Sequence, residues 1–173
     1  MRKLQRFPSP GEKNALWYWH RTVNPFKVVK NFAVIQLCRY TPSMALKNFF
    51  YRHLLGMRVG KNAAVGLMVM IDVFFPELVS IGENSVIGYN STLLGHEYLI
   101  REYRKGAVQI GANVMIGANT TVLPGVEIGD HAVISAGSLV NKDIPPGVYA
   151  GGVPVRILGS GVNASGMESP FCE

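Results

Sequence analysis

The residue best suited to chemistry is His96, and it stands where a pattern stops. Residues 81–96 read IGENSVIGYNSTLLGH. Steps of six residues run up to Leu93-Leu94-Gly95-His96 and do not resume until Ile110. An imidazole can take up a proton near neutral pH, so a histidine at such a break is a candidate general base. It is fourth in its hexad, outside both the aliphatic and the small-residue positions, so it should face outward at the base of an extruded loop. Glu97 follows it, and alternation along extended backbone would turn that carboxylate to the other side. Asp72 and Glu77 flank a smaller break between Ile71 and Ile81.

The elements that position these residues follow from the period. Aliphatic residues head the hexads at Val59, Val65, Ile71, Ile81, Ile87, Leu93, Ile110, Ile116, Val122, Ile128, Ile134 and Val140. Glycine follows the head at Gly60, Gly66, Gly82, Gly88, Gly111, Gly117 and Gly129, and the fifth position is often small. Helical spacing of three and four is missing. A period of six fits short strands joined by tight corners, three to a coil, with the heads stacked inside. One coil cannot bury its own face, so about four coils share one core. The breaks place four extra residues near Phe74-Phe75-Pro76-Glu77 and eleven after His96. Insertions that leave such a stack intact usually lie on a binding face.

Before the repeat, PFKVVKNFAVIQLCR from Pro25 to Arg39 predicts a helix with proline in its first turn. Thr41 and Pro42 predict the cap and first position of a second helix, roughly 43–55, that ends at Gly56. Residues 1–24 read as irregular, with the apolar anchor Leu16-Trp17-Tyr18-Trp19. The predicted organisation is a basic N-terminal helical segment at 1–58, a repeat domain at 59–158 with its loop at 97–109, and a mobile tail at 159–173.

The net charge of +6 in 173 residues is unevenly spread. Residues 1–58 carry 11 Lys and Arg against Glu12 alone, and the remainder carries 6 against 10 acidic residues. Such segregation concerns partners rather than fold. It fits either an amphipathic pair packed on the body or a surface that meets anionic lipid or polymer. Cys38 and Cys172 give neither a disulfide framework nor a metal spacing, which favours a reducing compartment. No apolar run approaches a membrane span, and the basic N-terminus lacks the apolar stretch of a signal peptide.

The hexads, the Gly-His before an extruded loop, and NVMIGANTTVLPGVEIGDHAVISAGSLVNKDIPPGVYAGGVPVRI together resemble the hexapeptide-repeat acyltransferases, most nearly the maltose and galactoside O-acetyltransferase branch. The likeness covers about residues 59–158. It implies a mainly β fold, a left-handed parallel β-helix, despite the usual right-handed crossover preference. It implies a homotrimer with active sites between subunits and acetyl-CoA as acyl donor. His96 would be the base that activates an acceptor hydroxyl. Coenzyme contacts carry over to Ala118, Ala136, Asn141, Lys142 and Arg156, the last two as partners for phosphates. Asp72, Glu77, Glu97 and Met115 become candidates for holding the acceptor. Tyr98, Arg101, Tyr103 and Arg104 could wall it.

Three positions depart from the family pattern: Asn141 where threonine is usual, Met115 where the sugar-acetylating branch has tryptophan, and Gly159 where it has another arginine. The expected reaction is O-acetylation of a sugar or glycan-type acceptor. N-acetylation of an amino sugar stays open, because the same base serves both nucleophiles, and so does a non-catalytic scaffold. A zinc enzyme on this solenoid needs three histidines, and the coils hold only His96 and His131. The expected setting is cytoplasmic, with peripheral membrane contact through residues 1–58 and no nucleic-acid partner.

Overall fold

The computed structural model describes residues 2–160. The repeat forms four coils of short parallel strands in three stacked sheets. One sheet stacks Arg58–Val59, Val79–Ile81, Val108–Ile110 and Glu127–Ile128. The second stacks Ala64–Val65, Val86–Ile87, Met115–Ile116 and Val133–Ile134, and Val148–Gly151 extends it. The third stacks Met70–Ile71, Thr92–Leu93, Thr121–Val122 and Leu139–Val140. All twelve hexad heads are buried in one continuous core. The small fifth-position residues Ala63, Ser85, Ser91, Thr120, Ala132 and Ser138 are buried as well. Ser85 shows why: its Oγ donates to Gly111 O and accepts from Val114 N in the next coil.

The outward columns differ. The first sheet presents Arg58, Ser80, Gln109 and Glu127. The second presents Ala64, Val86, Met115 and Val133. One face of the prism is therefore polar and its neighbour apolar.

The corners carry a further regularity. The fourth hexad position has positive φ at Asn62, Met68, Asn84, Asn90, Asn113, Asn119 and His131, and at Gly125 and Gly137. Asparagine tolerates this left-handed conformation through local hydrogen bonding. The asparagines also pair between coils, Asn84 with Asn113 and Asn90 with Asn119. His131 is one of these corner residues. His96 holds the same position in its hexad, but it continues into a strand instead, and this is where the metre ends.

The eleven-residue break is a hairpin of His96–Tyr98 and Glu102–Lys105, and the coil resumes at Val108. The N-terminus is not irregular throughout: Gln5–Pro8 adds a third strand to this hairpin, antiparallel to Glu102–Lys105. A 3-10 turn at Ala15–Tyr18 and a short helix α1 (Trp19–Thr22) follow.

Helices α2 (Pro25–Tyr40) and α3 (Met44–His53) close the open end of the solenoid. Asn24 caps α2 by accepting from Phe26 N. Ser43, not Thr41, caps α3, because the helix begins two residues later than the proline predicts. Thr41 instead ends α2, with Oγ1 donating to Leu37 O. The first coil donates its amides to the second, for example Gly60 N to Ile81 O and Met70 N to Ser91 O. The carbonyls of Val59, Gly60, Ala63, Val65 and Gly66 face the open end with no coil beyond them, an edge that must be covered. Helix α3 supplies the donors. Lys47 Nζ reaches Val65 O and Gly66 O, Asn48 reaches Ala63 O, and Arg52 reaches Val59 O and Gly60 O.

Much of the basic N-terminal charge is thus spent within the chain. Lys27 also pairs with Glu77, and Lys30 donates to Leu54 O. Among the described residues, no helix is long and apolar enough to cross a membrane.

At the far end, Ile144 bridges to Ile128, and Arg156–Ser160 returns antiparallel on Val148–Gly151. The predicted tail thus begins within a strand at Gly159 and Ser160, and its residues 161–173 lie outside the described residues.

Candidate active site

Solenoid stacking sets Asp72 against the end of the next coil. Ile71 is in register with Leu93, and Asp72 N donates to Leu93 O, so the Asp72 side chain reaches the two residues beyond Leu94. Its Oδ2 accepts from Gly95 N at 2.7 Å, from His96 N at 3.0 Å and from His96 Nδ1 at 2.5 Å. Its Oδ1 accepts from Phe74 N at 2.9 Å and Phe75 N at 2.8 Å. The side chain is 0% exposed, and every bond goes to the protein. Sequence reasoning offered Asp72 to the acceptor. In the fold its carboxylate faces the backbone and the imidazole, because the insertion turns the amides of Phe74 and Phe75 onto it.

The His96 side chain is 18% exposed. Phe74 stacks on its ring at 4.7 Å between centroids and 17° between planes. Phe75 and Tyr98 meet it edge-on at 5.7 and 5.2 Å. Trp19 stacks behind Phe74 at 5.8 Å, and Tyr98 Oη lies 2.5 Å from Thr22 Oγ1. The aromatic run continues from Tyr98 to Tyr103 and from Tyr103 to Phe7. Burial holds the phenols of Tyr98 and Tyr103 above their ordinary value, so both stay protonated. The ring is thus fixed on its face and edges, and its Nδ1 is engaged. Nε2 has no hydrogen-bond partner among the described residues.

The other candidates are distributed as follows. Glu97 turns away from His96 and binds Arg2 at 3.0 Å and Arg104 at 3.3 Å, and Arg104 also binds Glu102. These ties fasten the N-terminus to the hairpin. Glu77 is exposed and pairs with Lys27 at 2.6 Å. Met115, 44% exposed, stands in the apolar outward column between Val86 and Val133, a different column from His96.

Ala118 and Ala136 lie at one corner of adjacent coils, where Gly137 N donates to Ala118 O. Cβ atoms on Gly88 and Gly117 would strike the Ala118 and Ala136 backbones, so only glycine lets these corners stack closely. Asn141 and Lys142 follow the last strand of the third sheet, and Arg156 opens the returning strand. Lys142 and Arg156 are exposed, with no carboxylate partner among the described residues, and Asn141 Oδ1 is buried with no hydrogen-bond partner.

Phe74, Phe75, Trp19 and Thr22 were not legible as site residues. The two phenylalanines fall in the four-residue insertion, which was a usable signal, but Trp19 and Thr22 join the site only through tertiary packing, on Phe74 and Tyr98.

A four-coil solenoid carries a carboxylate-held histidine at the root of a hairpin, and comparison with known proteins places the chain among transferases. The family description "bacterial transferase hexapeptide (six repeats)" matches residues 107–142, and "hexapeptide repeat of succinyl-transferase" matches 78–95. YvoF of Bacillus subtilis (strain 168), whose name places it among the acetyltransferases without an acceptor, is 59% identical over 158 residues, 91% of either chain. A hexapeptide-repeat acetyltransferase from Vibrio cholerae, solved with acetyl coenzyme A, has a TM-score of 0.67 and 24% identity, covering 80% of this chain and 88% of that one. A galactoside acetyltransferase in complex with coenzyme A has a TM-score of 0.62 and 28% identity, covering 79% and 81%. The chain belongs to the hexapeptide-repeat acetyltransferase family, and its fold is that family's left-handed parallel β-helix.

Proposed function

We propose that the protein transfers the acetyl group of acetyl-CoA to a hydroxyl of a sugar or glycan-type acceptor, with His96 as general base. The observation that carries this reading is the 2.5 Å contact between Asp72 Oδ2 and His96 Nδ1. With Nδ1–H donated to a buried carboxylate, the tautomer is fixed and Nε2 is left as the acceptor. His96 Nε2 takes the hydroxyl proton as the new C–O bond forms. When the C–S bond breaks, the same nitrogen returns that proton to the departing thiolate. Asp72 holds the ring and steadies its transient charge.

The donor reading is supported by the corner at Ala118 and Ala136 together with the orphaned Asn141 Oδ1, which can accept from an amide or hydroxyl of the coenzyme. Lys142 and Arg156 offer unpaired cations for its phosphates. A homotrimer is supported by the apolar column of Ala64, Val86, Met115 and Val133, which a monomer would leave in water. Peripheral contact with a membrane surface keeps one support, the exposed apolar row of Phe26, Val29, Leu37 and Tyr40 on α2, with Phe26 85% exposed. Sedimentation with anionic vesicles checks it.

The deciding experiment follows thiol release from acetyl-CoA over a panel of hydroxyl and amine acceptors. His96→Ala should lower turnover by about a hundredfold or more, the scale of a lost general base. Turnover that survives His96→Ala would remove the histidine from the reaction. Acetylation of amines alone would replace the O-acetyl reading.

A further inference from the structure

The hairpin sets Lys105 directly across from His96. Residues opposite one another on antiparallel strands share a face, with Cβ atoms about 5 Å apart. The side chains confirm this. The Lys105 ammonium lies 4.9 Å from the centroid of Phe75, the same ring that meets His96 edge-on. Phe7 lies 4.9 Å from the ammonium as well. The backbone there cannot drift. Glu102–Lys105 is the central strand of its sheet, and a Cβ on the following Gly106 would strike Gly125 and the Lys3 carbonyl.

Four neighbouring cations are matched by carboxylates, and Lys105 is not. Arg2 and Arg104 bind Glu97, Lys3 binds Glu127, and Lys27 binds Glu77. Lys105 has no carboxylate within ion-pair distance among the described residues, and its contacts are to two aromatic rings. Cation–π contact attracts an ammonium without neutralising it. Lys105 also lines a cavity of about 610 Å³ with Phe75, Gln5, Glu77, Lys3 and Glu127. Lys3 cancels Glu127 there, and Glu77 is held by Lys27, so the uncompensated charge on that wall is positive.

We infer that Lys105 is a specificity-determining residue that binds an anionic oxygen group of the acceptor, a carboxylate or a phosphate, beside the hydroxyl presented to His96. The inference rests on the acetyl transfer proposed above and deepens it: the acceptor class becomes an acidic sugar or a sugar phosphate. The rings of Phe7 and Phe75 hold the ammonium in place, so little side-chain freedom is lost when the anion binds.

The test uses three versions of each candidate sugar with the ring hydroxyls free: the methyl glycoside, the carboxymethyl glycoside and the glycosyl phosphate. Thiol release is measured for wild type, Lys105→Met and Lys105→Arg, each first shown by melting to be folded. Wild type should favour a charged version by about tenfold or more in kcat/KM, the scale of one hydrogen-bonded charge. Lys105→Met should erase that preference through KM and leave the methyl glycoside within about twofold, and Lys105→Arg should keep most of it. Preference for the carboxymethyl version alone, or for the phosphate alone, identifies the anion. No preference in wild type, or an equal loss on all three versions in Lys105→Met, overturns the inference while the acetyl transfer stands. Should no sugar turn over, the acetyl transfer falls, and calorimetric binding of the glycosyl phosphate and the carboxymethyl glycoside decides for Lys105. Binding by wild type that Lys105→Met loses supports it; equal or absent binding overturns it.

Discussion

Asp72 and His96 are 24 residues apart in the chain and 2.5 Å apart at Oδ2 and Nδ1. The same oxygen accepts from the backbone amides of Gly95 and His96, so ring and backbone are oriented together. Asp72→Asn keeps the volume but turns an amide NH₂ or a lone carbonyl toward three donors. Turnover should fall by about a hundredfold, within the range for a misplaced general base, with KM changed far less. Asp72→Asn should also lower stability by about 2 kcal/mol, because buried donors lose their acceptor. Steady-state kinetics and urea unfolding read the two effects separately. Unchanged turnover beside lost stability would confine Asp72 to a structural role.

Lys47 is buried, with its ammonium on the carbonyls of Val65 and Gly66 at the open end of the solenoid. Lys47→Ala leaves a cavity and two unpaired carbonyls, and should cost about 3 kcal/mol in urea unfolding. Lys47→Met fills the space and removes a charge that burial disfavours, so it should cost roughly half as much or less. Equal losses in the two variants would mean that the hydrogen bonds, not the packing, hold α3 down.

Cys38 packs in the same layer, beside Tyr51 and Lys47. Burial pushes its thiol up to about 11, with Lys47 pulling the other way. The unfolded chain ionises its thiol near the ordinary value of about 8.5, before the folded chain does. The unfolded state therefore sheds the proton first, and the contribution of Cys38 falls as pH rises from there toward about 11. Burial holds the Tyr51 hydroxyl well above its ordinary value too, which acts in the same direction at higher pH. Lys47, lowered by burial, acts in the opposite direction, so the comparison must be with a variant that retains it. The stability advantage of wild type over Cys38→Ala, measured by urea unfolding, should narrow between about pH 8 and pH 10.5. An advantage constant over that span would remove the thiol from the balance.

Met115 and Val86 stand side by side on the apolar outward column. If that column joins subunits, wild type should sediment at about three times 18.9 kDa. Met115→Glu should dissociate the assembly and, with active sites between subunits, abolish turnover while leaving the far-ultraviolet spectrum of the β-helix. A wild-type monomer with full activity would overturn the trimer.

The repeat was legible because burial enforces it. Every sixth residue must enter the core, so the twelve heads could be numbered from the chain, and the structure buries all of them. The two insertions were legible for the same reason, as departures from a strict count. The left-handed corners were visible as asparagines at the fourth position and could have been read. The capping role of Lys47, Asn48 and Arg52 could not, because a basic helix reads alike whether it faces lipid or a row of orphaned carbonyls.

The site divides in the same way. The sequence by itself determined that His96 stands fourth in a broken hexad at the root of an insertion, because the period fixes its place. Only the tertiary structure decided that Asp72 holds it, that Phe74 and Trp19 stack behind it, and that Lys105 lies opposite. Those relations depend on register between coils, on the pairing of a hairpin and on an N-terminal strand that returns to it. Contacts made across such distances in the chain leave no period to count.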